Sequence, residues 1–72
     1  MTQNERVLAY MREHGSITQR DAMWLGVYRL SARIFDLRKE GYKISSLWET
    51  VENKHGERAT IARYSLTEER YG

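Results

Sequence analysis

The chain has 72 residues, a formal charge of +2 and no cysteine or proline. A single small domain of this length leaves little room for a deep catalytic cleft, and the lack of cysteine excludes disulfides and cysteine-ligated zinc. No apolar run approaches the roughly 20 residues of a membrane span, and Met1-Thr2-Gln3-Asn4-Glu5 has no basic-then-apolar signal pattern. The expectation is one cytoplasmic domain over residues 1–72, with no membrane partner and no cofactor.

The charge is unevenly spread. Residues 29–63 hold eight basic and five acidic side chains, whereas the remainder holds four basic and five acidic. A positive middle suits a polyanionic partner, although an ordinary mixed-charge surface would carry the same tally.

In chain order, Thr2 followed by Glu5 is a capping-box pattern that opens a helix over about residues 3–14. Val7, Leu8 and Met11 share one face of it, and His14 falls in the last turn, where an imidazole suits the helix dipole better than a metal. Gly15 marks the end. In Ser16-Ile17-Thr18, Ile17 can turn inward while Thr18 caps a short helix over about residues 19–25. Ala22, Met23 and Leu25 are its expected buried residues, with Trp24 facing outward. Gly26 ends that helix.

The clearest segment is 28–40. Leu30, Ile34 and Leu37 recur at i, i+4 and i+7 and form an aliphatic seam. The opposite face carries Tyr28, Arg29, Ala32, Phe35, Asp36 and Lys39, with Arg33 and Arg38 on its flanks. After Gly41 the period changes. Residues 42–51 and 58–66 are rich in aromatic and β-branched side chains, and the polar stretch 52–57 between them is turn-like, which predicts a β-hairpin. Two registers one residue apart fit equally well, so neither Trp48 nor Tyr64 is assigned inward. Residues 67–72 read as a tail that frays.

Two helices joined by a tight glycine turn, the second longer and basic outside, make a helix-turn-helix pattern. The hairpin directly behind adds a wing. The expected fold is therefore α+β: a winged helix-turn-helix, three helices followed by a two-stranded wing.

The segments Gly15-Ser16-Ile17-Thr18-Gln19, Leu25-Gly26-Val27 and Arg29-Leu30-Ser31-Ala32-Arg33-Ile34-Phe35-Asp36-Leu37-Arg38-Lys39-Glu40-Gly41-Tyr42 carry a resemblance, which continues through the hairpin to Ala62-Arg63-Tyr64-Ser65-Leu66. They resemble a family of small helix-turn-helix proteins common in bacteriophages and prophages. That resemblance implies a DNA-binding fold and a phage or prophage setting in a bacterial cell. It supplies no target sequence. Trp24 departs from the pattern, because a polar residue is expected there, and it marks a second contact surface.

For duplex DNA, residues near the amino end of the third helix reach base edges in the major groove. Here those are Tyr28, Arg29, Ala32 and Arg33. Arginine bonds guanine through two acceptors at once, and Ala32 keeps the surface low. Thr18 and Gln19, at the start of the second helix, are candidates to hold a phosphate. Lys54, His55 and Arg58 place positive charge on the wing. Each has a structural alternative. Arg33 and Arg38 can pair with Asp36 or Glu40, and Lys54 and Arg58 can simply guard a hairpin edge.

A second function class is a protein-binding module, such as a phage inhibitor of a host defence complex of the anti-CRISPR kind. Its partner would be a host protein or ribonucleoprotein. Tyr10, Trp24 and Phe35 are its natural contacts, since aromatic side chains anchor interfaces. Trp24 or Tyr10 would also serve a homodimer. An enzyme is poorly served by two distant histidines, no phosphate-binding glycine loop and no nucleophile–base pairing.

Overall fold

The computed structural model describes residues 2–68. Its elements in chain order are α1 (Gln3–His14), β1 (Ser16–Thr18), α2 (Gln19–Trp24), α3 (Leu30–Lys39), β2 (Lys43–Glu52) and β3 (Arg58–Glu68). The three helices pack against one end of an antiparallel sheet ordered β1-β3-β2. The rest of the β2–β3 hairpin projects beyond them and gives the molecule a long axis of 46 Å against 22 and 20 Å.

The starts of α1 and α2 follow from reciprocal caps. Thr2 accepts from the Glu5 amide while Glu5 accepts from the Thr2 amide, and this pair holds the Glu5 carboxyl below its ordinary pKa of 4.5. Thr18 and Asp21 repeat the arrangement at α2. A cap of this kind stabilises a helix by about 0.5–2 kcal/mol, which matters most for a helix too short to form alone. α1 ends where Gly15, at φ 88°, donates its amide to the Met11 carbonyl at 2.7 Å. A side chain there would meet no clash but would strain a left-handed backbone.

The core comprises Val7, Leu8, Met11, Ile17, Ala22, Val27, Leu30, Ile34, Leu37 and Ile44. The helical seams are those expected from spacing. Three assignments differ. Leu25 is only partly buried and packs against the core from its edge. Met23 is 62% exposed, because α2 is less than two turns long and presents only Ala22 inward. Val27 takes the inward place instead, drawn in by its amide bond to the Ala22 carbonyl at 2.8 Å.

The sheet also differs from the expected two-stranded hairpin. β1 is a third strand, with Ser16 opposite Ser65, Ile17 opposite Tyr64 and Thr18 opposite Arg63. Burying Ile17 lays this extended segment along β3. The hairpin register is fixed by Ser46 opposite Tyr64 and Trp48 opposite Ala62, after an irregularity between Lys43 and Ile44. Ile17, Ile44, Tyr64 and Leu66 thus share the core face, and Trp48 lies farther out along that same face. The expected frayed tail begins too early. Thr67 lies within β3 and donates its hydroxyl to the Lys43 carbonyl at 3.0 Å; residues 69–72 lie outside the described residues.

Candidate nucleic-acid interface

α3 begins at Leu30 rather than at residue 28. Arg29 is its N-cap, with φ −124° and ψ 69° and no side-chain cap of its own. Its carbonyl accepts the first helical bond, from the Arg33 amide at 3.1 Å. Gly26, at φ 78°, turns the chain out of α2, and Arg6 of α1 steadies that turn by donating to the Leu25 carbonyl at 3.2 Å. Tyr28 and Arg29 consequently sit on an exposed shoulder ahead of the helix, not in its first turn. With the seam buried, the outer face of α3 carries half-buried Ala32 and exposed Phe35 and Lys39, whose ammonium lies 5.4 Å from the Phe35 ring centroid.

The remaining cations of α3 are engaged within the protein. Arg33 lies on the flank toward α1, half-buried, with one guanidinium nitrogen 3.4 Å from the Asp36 carboxylate. Asn4 donates to the same carboxylate oxygen at 3.5 Å. Arg38 faces the opposite way, toward the wing. It donates twice to the Ile44 carbonyl, at 3.1 and 2.8 Å, and once to the Ser46 hydroxyl at 2.8 Å. This tie between helix and wing was not legible in the sequence, where Arg38 is one more flanking cation. Nothing in residue spacing reports a bond to a backbone carbonyl.

At the start of α2, Thr18 is buried and its hydroxyl is occupied by Asp21. Gln19 is the exposed member of that pair. On the wing, Asn53 organises the tip: its side-chain oxygen accepts from the amides of His55 and Glu57 at 2.9 and 3.0 Å. Lys54, His55 and Arg58 are all exposed on or beside this tip. Arg58 stands across the strands from Glu52, so part of its field is offset.

The far face of the sheet has its own polar anchor. Arg63 pairs with Glu49 and donates to the Ser16 hydroxyl at 3.0 Å. The Glu49 bond, more than any other influence, pushes the Arg63 pKa further up. Nearby, the Tyr10 hydroxyl bonds the Asp21 carboxylate. Burial first and the Asp21 charge second raise its pKa. Tyr10 is therefore half-buried and engaged, whereas Trp24 is 87% exposed beside Met23. Phe35 stands apart from both, on α3. The three aromatic residues singled out as protein contacts lie on three different helices.

Among the described residues, no helix is long and apolar enough to cross a membrane, and no group of three or more histidine, cysteine or acidic side chains could hold a metal. Searches of curated proteins and of solved structures return no significant match. A family model described as a winged helix-turn-helix domain matches residues 2–69. An exposed shoulder and outer face on the second helix of a helix-turn-helix, a cationic hairpin tip behind it and this near-complete match together support DNA binding, and the chain belongs to the winged helix-turn-helix domain family.

Proposed function

We propose that the protein binds double-stranded DNA with α3 in the major groove and the wing along the backbone, as a transcriptional regulator or accessory protein of a phage or prophage, in the cytoplasm of the bacterial host. The observation that carries the reading is the exposed shoulder of Tyr28 and Arg29 leading into Ala32, set on the same fold as an exposed tip bearing Lys54, His55 and Arg58. Arg29 is the principal base-reading side chain. Arg33 joins it by exchanging Asp36 for a base edge. Gln19 contacts phosphate, and Thr18 holds α2 in place for that contact.

The experiment is a titration of mixed-sequence duplex at several salt concentrations. Binding is expected at low salt, with log affinity falling linearly in log salt because neutralised phosphates release counterions. Absence of binding at low salt overturns the reading. One short recognition helix reads few base pairs, so on a specific site the protein acts as a homodimer with half-sites about 34–36 Å apart. Sedimentation on the best duplex site should give two copies; a monomer both free and bound contradicts this.

A second reading is favoured by one observation. Trp24 and Met23 are exposed side by side on α2, and such aromatic anchors are typical of protein interfaces. On that reading the chain inhibits a host protein or ribonucleoprotein in the anti-CRISPR manner, with Trp24 as its anchor.

A further inference from the structure

A shallow cleft lies between α3 and the wing, and each of these two elements carries an exposed aromatic ring. Ser31, Phe35 and Arg38 are spaced i, i+4 and i+7, so they form one stripe along α3. Both ends of the stripe meet the wing: Ser31 lines a shallow concavity with Thr60, Ala62 and Tyr64, and Arg38 bonds Ser46. Phe35 lies between them, 61% exposed. On the wing, Trp48 is two residues beyond Ser46 on the same strand and opposite Ala62, so it shares their face. It is 73% exposed. Phe35 and Trp48 are thus exposed on the two elements that border the concavity.

The surroundings are cationic. Lys39 stands over the Phe35 ring, the Arg38 guanidinium spans the helix–wing junction, and Arg58 lies on the same wing face, where its acidic counterweight is Glu52. Aromatic faces flanked by cations suit a nucleic-acid strand, with phosphates meeting the cations and bases meeting the rings. In a duplex each base has both faces covered by its neighbours. Only a base outside the stack can offer a face to Phe35 or Trp48.

We propose that this cleft seats a single DNA strand, with Phe35 and Trp48 stacking on unpaired bases and Lys39 and Arg58 meeting its phosphates. The proposal rests on the nucleic-acid reading above and extends it to sites where a duplex is opened or ends in a single strand.

The test uses the full chain carrying Trp24→Phe, which leaves Trp48 as its one tryptophan. Titration with a short oligothymidylate at low salt should change Trp48 emission saturably. Phe35→Ala in that background, and Trp48→Ala followed by a labelled oligomer, should each weaken single-strand binding roughly 5- to 150-fold. Phe35→Tyr, which keeps a ring, should retain it. Both side chains are exposed, and circular dichroism confirms that each variant is folded. A mixed-sequence duplex is titrated in parallel. Duplex binding without any response of Trp48 to oligothymidylate overturns the single-strand site and leaves the duplex reading standing; failure of both ligands overturns both. Equal losses for duplex and single strand in Phe35→Ala also overturn it, as does tighter binding of oligouridylate than of oligothymidylate.

Discussion

Truncating Leu30 or Ile34 to alanine is expected to destabilise the domain by about 2–5 kcal/mol, the range for deleting a large aliphatic side chain from a packed core. Both residues are almost wholly buried, on the seam where α3 meets the rest of the core. A domain of this size is worth only about 5–10 kcal/mol in total, so either variant should melt far below the parent and be partly unfolded at moderate temperature. Met23→Ala and Phe35→Ala are the matched controls. Their side chains are exposed, and each should stay within about 0.5 kcal/mol of the parent. Denaturant or thermal melts of the four variants decide the matter. A parent-like melt for Leu30→Ala or Ile34→Ala would mean that the helix phase is wrong, and with it the identity of the exposed face.

The second large effect separates the cations by the partner each meets. Arg29→Ala should cost about 1–3 kcal/mol on a preferred duplex site and blur discrimination at one base position. Lys54→Ala and Arg58→Ala should weaken binding to all duplexes similarly and lower the salt slope by about one unit each. Arg33→Ala should lose less than Arg29→Ala, since its guanidinium already neutralises part of Asp36 in the free protein. Titrations of specific and random duplexes at several salt concentrations distinguish these behaviours. If all four variants act alike, α3 is not reading bases. If none affects DNA while Trp24→Ala abolishes biological activity, the protein-binding reading is the correct one.

The sequence conveys the helices well because their information is periodic. Val7, Leu8 and Met11 and the seam of Leu30, Ile34 and Leu37 repeat at helical spacing, and Thr2 and Thr18 announce the two caps. The misses have a common cause. β1 is three residues long, too short for alternation to register, and it becomes a strand only because β3 lies beside it. Met23 looked buried by hydrophobicity, but a six-residue helix has little inward face to offer. The hairpin register was ambiguous because both faces of its outer half are exposed, so no burial pattern discriminates between them.

The exposure of the candidate interface residues was legible in the sequence, and so were two of the local engagements, the Thr18 cap and the Arg33–Asp36 pair, but not the bond from Arg38 to the wing. Tyr28, Arg29, Ala32 and the wing cations are solvent-facing or half-exposed, as their spacing suggested. The hydroxyl of Thr18 and the guanidinium groups of Arg33 and Arg38 are committed to Asp21, Asp36 and the Ile44 carbonyl. Two of those partners sit three residues away, and the third becomes a neighbour through the turn after α3. Residue spacing offered acidic partners for Arg33 and Arg38, and Arg33 takes one of them, whereas Arg38 is held by a backbone carbonyl that spacing does not report.

The most direct test of the DNA-binding account is an amide chemical-shift map of the protein titrated with duplex DNA at low salt. The account predicts that the shifted amides concentrate at Gln19, at residues 28–35 and at the wing tip 53–58, and that the shifts fade as salt is added. Shifts confined to residues 20–24 around Trp24, or no shifts at all at low salt, would contradict it.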